Sequence, residues 1–167
     1  MEDIKPNRQY KSTRESMEII RRWLMVLVAT QTPEKRLDVV LLIYRITISL
    51  AFLFIHGYKK IVNFHEEIQH IPDPFGMGGY NATLIAIFSN VICSVFVMMG
   101  LFTRLFAVGA FMIPFIGLII VHLDDPWSVK DVPLMYSLAF IVIIILGPGK
   151  YSADRIISQS WFKEKYN

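Results

Sequence analysis

Four stretches of this sequence, residues 39–55, 82–102, 105–121 and 132–146, are almost free of charge and approach the length of a membrane crossing. A helix needs about 20 apolar residues to cross a hydrocarbon layer roughly 30 Å thick, because each residue rises about 1.5 Å. Lipid offers no partner to a backbone N–H or C=O, so such stretches satisfy their own backbone as helices. The predicted fold is an all-α membrane protein, a four-transmembrane-helix bundle. Of 167 residues 54% are hydrophobic and 19% charged, too apolar a balance for a soluble domain of this size. The fourth stretch has 15 residues and needs its flanks, a thinned bilayer or a buried position to span.

Residues 1–36 read as a cytoplasmic or interfacial extension, 37–155 as the membrane domain and 156–167 as a C-terminal interfacial helix. The first 22 residues mix acids and bases, and the apolar run after them is short and lacks a small-residue cleavage site, so no cleavable signal is expected. Residues 17–28, MEIIRRWLMVLV, fit a helix in the membrane interface with Arg21 and Arg22 among headgroups, and equally a cytoplasmic helix packed on a partner. GLFTR, residues 100–104, makes the second and third spans antiparallel neighbours. Pro114 should kink the third span, while Gly109 and Gly117 admit close neighbours. Asp131 is the expected N-cap of the fourth span. GPGK, residues 147–150, stops it, and Ser152 then caps a last helix with Ile156, Ile157, Trp161 and Phe162 on its apolar face. In the longest loop Ile61, Phe64, Ile68 and Ile71 follow helical spacing, which predicts a re-entrant or interfacial helix.

Of the Lys and Arg residues outside the spans, 13 fall with the two termini and the second connection, against three in loops 56–81 and 122–131. By the positive-inside rule both termini are cytoplasmic and all four histidines lie at or beyond the opposite surface. Basic residues so placed answer to the membrane, and the net charge of +3 does not call for nucleic acid.

Arg45 is the conspicuous residue of the first span. At 100° per residue it shares a stripe with Ser49 and His56, loosely continued by Lys59 and Lys60, and Asn90 and Ser94 form a second stripe on the next span. Ionisable groups in spans normally face the bundle interior or a wet cavity. Three environments stay open for Arg45: snorkelling to the cytoplasmic surface, an internal structural pair, or contact with a ligand or partner subunit. HEEIQH, residues 65–70, sets its histidines five apart and about 140° round a helix, the wrong spacing for a zinc-protease pair, so no metal site is expected. A haem held between His56 and His122 is conceivable but lacks a deep pocket in this spacing. The single Cys93 excludes an internal disulfide or a Cys-x-x-Cys redox pair and reads as a buried packing residue.

An apolar span with Arg45 ending in HGYKK, then MGLFTR at 99–104, His122 after the third span and GPGKYSAD at 147–154 together resemble the DoxX family of small four-span bacterial membrane proteins. Asn90 stands near a position where that family often carries an acidic residue. The resemblance implies a multi-pass protein of the bacterial inner membrane associated with redox complexes, and the family takes its name from the membrane subunit of a thiosulfate to quinone oxidoreductase. On that reading the chain is a membrane subunit of a quinone-linked oxidoreductase, with a ligand or quinone pocket drawn from Arg45, Ser49, His56, Lys60, Asn90 and His122. The alternative is a non-enzymatic structural or assembly subunit of a larger envelope complex. Both imply the lipid bilayer as environment and other subunits, or copies of the chain, as partners; catalytic activity stays open. Transport is a weaker third class, since no discontinuous helix pair or acidic relay is visible.

Overall fold

The computed structural model describes residues 17–19 and 34–164. The chain divides into two units, residues 1–36 and Leu37–Asn167. Residues 17–19 are helical; the remainder of the helix expected over 17–28 lies outside the described residues. Six helices follow: α1 (Glu34–Val62), α2 (Phe64–His70), α3 (Gly79–Met99), α4 (Thr103–Val121), α5 (Trp127–Leu146) and α6 (Ala153–Glu164). The described residues contain no strand, and α1, α3, α4 and α5 are each long and apolar enough to cross a membrane.

The four spans close a ring. Helix α1 packs on α3, α3 on α4 and α4 on α5. Helix α5 returns to α1 through the rings of Phe140 and Phe52, 5.1 Å apart, and a hydrogen bond of 3.2 Å from the Tyr44 hydroxyl to the Ala139 carbonyl. The interior is filled by Phe52, Cys93, Val97, Ala107, Ala110, Phe140 and Ile143. Small residues set the closest approaches. A Cβ on Gly109 would lie 2.7 Å from Cys93 Sγ, and one on Gly57 would lie 2.7 Å from the Val91 side chain, so spans α3–α4 and α1–α3 touch where a methyl group has no room. Phe54, Ile55, Leu105, Met135 and Ile145 point outward, an apolar exterior that suits hydrocarbon.

Two expectations change at α5. The span is 20 residues long and starts at Trp127, so the flanks that seemed to be loop supply its missing length. Asp131 is therefore inside the helix and not its N-cap; Pro126, extended at ψ 156°, precedes the first turn, and Asp131 Oδ1 accepts from its neighbour Val132 N–H. Charged residues in a first turn read as loop in the sequence, yet that turn has no need of apolar side chains if it stands at a membrane surface. In the 61–81 region α1 runs on to Val62, Asn63 breaks the helix, and α2 follows. Phe64 of α2 meets Tyr80 edge-on at 5.7 Å, which seats α2 on the start of α3.

The two sequence motifs around Gly100 and Gly147 interlock at one end of the ring. Gly100 ends α3 in the left-handed conformation, φ 74°, and Phe102 follows at φ 45°, unusual for a residue with a side chain. Asp154 of α6 holds this turn, its carboxylate accepting from Phe102 N–H at 2.7 Å, Thr103 N–H at 2.9 Å and the Thr103 hydroxyl at 2.8 Å. One acid thus caps α4 from a different helix. A capping side chain contributes about 1 kcal/mol, enough to offset much of the roughly 1–2 kcal/mol that a left-handed residue costs. In return Asp154 N–H donates to the Gly100 carbonyl at 2.8 Å, and Ser152 caps α6 as its position in the sequence suggests, accepting from Arg155 N–H at 3.2 Å.

Candidate functional site

Arg45 belongs to that interlocked end. It is buried, 2% exposed, and its guanidinium donates from Nη1 to the Pro148 carbonyl at 2.5 Å and from Nη2 to the Tyr151 carbonyl at 3.0 Å. A Cβ on Gly100 would stand 2.7 Å from Nη1 and 2.7 Å from Ser152 Cβ, so the absent side chain there makes the room the guanidinium occupies. Of the three environments open to Arg45, the structure gives an internal one with backbone oxygens as acceptors. Lys150 adds a tie to α1, its ammonium 3.2 Å from Asp38.

At the other end of the ring lies a cavity of about 280 Å³ between α1, α3, α4 and α5. It brings together His56, Lys60, Asn90 and His122 over an apolar wall that includes Phe52, Ile113 and Pro114. Arg45 and Ser49 do not reach it. Eleven residues of helix, roughly 16 Å at about 1.5 Å each, separate Arg45 from His56, so the shared stripe does not become a shared pocket. Ser49 is wholly buried and its hydroxyl has no hydrogen-bond partner among the described residues, and the same holds for Ser94.

The cavity is built where the helices depart from α geometry. Phe52–Gly57 in α1, Phe88–Cys93 in α3 and Gly117–Val121 in α4 are π turns, each with a residue on the cavity: His56, Asn90 and Gly117. The backbone bonds confirm the wider turn, Tyr58 N–H reaching Leu53 O and His122 N–H reaching Gly117 O. A π turn inserts one residue, re-aims the side chains beyond it, and is frequent at functional sites.

Each polar group has a defined setting. The His56 ring meets Tyr136 edge-on at 5.1 Å and lies 5.7 Å from Phe52, so aromatic rings fix its plane. His122 is held by Asp125, Nδ1 to Oδ2 at 2.7 Å, which orients its imidazole at the cavity rim. Asn90 is 1% exposed and its side-chain oxygen is buried without a hydrogen-bond partner among the described residues. Lys60 donates to the His56 carbonyl at 3.2 Å. Tyr136 joins the site unannounced by the sequence, where it reads as one more apolar residue of the fourth span; its offset of four from buried Phe140 is the signal that puts it on the inward face. His65 and His70 are exposed and away from the cavity, and the described residues contain no group of acids, histidines and cysteine able to hold a metal.

Residues 40–123 match the DoxX family. The chain is also similar to the inner membrane protein YphA of Escherichia coli strain K12, 30% identical over 127 residues that cover 70% of this chain and 89% of the relative. The chain belongs to the DoxX family. With an inner-membrane relative and four apolar helices, this DoxX protein is a multi-pass inner membrane protein. No solved structure matches it. The matched region contains most of α1 and all of α3 and α4, and with them His56, Lys60, Asn90 and His122; α5 and the 147–154 motif lie beyond it.

Proposed function

We propose that this DoxX protein is the ligand-contacting membrane subunit of a quinone-linked redox complex, with both termini in the cytoplasm and the His122 end on the opposite side. The observation that carries this reading is the convergence of two imidazoles, an ammonium and a buried amide on one cavity with apolar walls. Sites for small amphipathic molecules are mostly apolar with a few convergent polar groups. An imidazole N–H or the Lys60 ammonium can donate to a quinone carbonyl, and an imidazole can also hand a proton to the bound oxygen or take one away. Electrons would come from a partner subunit.

The test is purification in mild detergent followed by extraction and quantification of quinone. Wild-type protein should retain quinone, and His56→Ala or Asn90→Leu should retain about tenfold less with helicity unchanged, the scale of one or two lost hydrogen bonds. Colourless protein that carries lipid only, alone or as a homo-oligomer, would overturn the reading in favour of a structural or assembly subunit.

A further inference from the structure

A second cavity, also about 280 Å³, adjoins the first and shares Lys60, Ile113, Gly117 and His122 with it. Its walls are largely hydrocarbon, from Ile71 and Phe75 of the connection and Ala82, Ala86 and Ile116 of α3 and α4. Its one acid, Asp73, is turned back on its own loop, where the carboxylate accepts from Met77 N–H at 3.0 Å and Gly78 N–H at 2.7 Å. Lys60 therefore stands where the two chambers meet.

Its charge is only partly compensated: among the described residues Glu67 attracts it without reaching ion-pair distance, that carboxylate lying against Lys59 instead. The adjacent Lys59 lies 3.9 Å from Glu67, whereas Lys60 is half-buried, donates only to the His56 carbonyl, and pairs with no carboxylate among the described residues. A partly buried ammonium against apolar walls favours a negative charge beside it, and more strongly than in water because the surroundings are less polarisable. We infer that the two chambers form one site for an amphipathic anion, its acidic group at Lys60 and His122 and its chain along Ile71, Ala86 and Ile116. This rests on the part of the proposed function that makes the cavity a ligand site, and it adds the charge of the ligand. A free acyl carboxylate and an anionic lipid headgroup share that chemistry.

The probes are decanoate for the free acid, lysophosphatidylglycerol for the lipid, and 1-decanol as the uncharged chain, each added to full-length protein in mild detergent and counted by native mass spectrometry. Wild type should retain one decanoate or one lysophosphatidylglycerol per chain and little decanol. Lys60→Gln should weaken the retained anion about tenfold, Lys60→Arg should keep it, and Lys59→Gln should leave it unchanged. Whichever anion survives names the source. Equal retention of decanol and decanoate, undiminished binding in Lys60→Gln, or an equal loss in Lys59→Gln would overturn the inference. Quinone in the same preparation separates the two readings: quinone that decanoate does not displace sinks only the anion site, and decanoate bound to quinone-free protein sinks only the redox reading.

Discussion

Arg45 shows how a costly residue can be made structural. A charged side chain within a span is costly, up to about 2.5–3.5 kcal/mol at the helix centre on insertion scales, and here, toward one end, two loop carbonyls and a glycine-sized space receive it. Replacing it with Met leaves the Pro148 and Tyr151 carbonyls without their donors. Arg45→Met should lower stability by roughly 1.5–3 kcal/mol, read as an earlier midpoint when helicity is followed through an SDS titration. Because Arg45 is remote from the cavity, its loss should not change quinone content per folded molecule; a selective loss of ligand with stability intact would contradict the structural role. From sequence, the burden of Arg45 was legible but its acceptors were not, since they lie more than a hundred residues away and are backbone atoms of a loop. Asp154 was hidden for the same reason: an acid in the first turn of α6 looks like a partner for its own helix, and its bonds go to α4.

At the level of the helix, the 3.6-residue period located the spans and the inward faces, and failed where that period itself is broken. FLFIHG in α1 is apolar and compatible with an unbroken α-helix, so nothing local marks its π turn, which depends on how α1 meets α3 at Gly57. The wider turn is also what can be tested. Ile55 faces outward and is 62% exposed, so an Ala inserted beside it disturbs no core contact, yet the turn already carries one extra residue and a second rotates everything beyond by about 100°. His56 and Lys60 should swing off the cavity while four spans persist. Helicity and detergent stability close to wild type, with quinone retention down to the level of His56→Ala, is the expected result. Unchanged retention would mean that the π turn does not aim these side chains.

For the whole molecule, the four spans and the last helix could be read from apolar runs and caps alone, while the closure of the ring could not, and neither could the true start of α5, because Trp127–Asp131 has the composition of a loop. The distribution of basic residues predicts which end faces the cytoplasm. A C-terminal fluorescent-protein fusion should glow and a C-terminal alkaline phosphatase fusion should be inactive, with the reverse for phosphatase fused after residue 123. Any other pattern inverts the proposed orientation and places the cavity on the cytoplasmic side.

The clasp at Gly100 also imposes an order of events on biosynthesis. Arg45 leaves the ribosome 103 residues ahead of the carbonyl that will receive its Nη1. At about 5–20 residues per second this is a delay of roughly 5–20 s, during which the first span can already be in the bilayer with its guanidinium drawn toward headgroups. Closure of the bundle therefore waits for the final stretch of chain to be made and turned back, and a nascent protein halted before residue 148 is a set of inserted helices without its fastening.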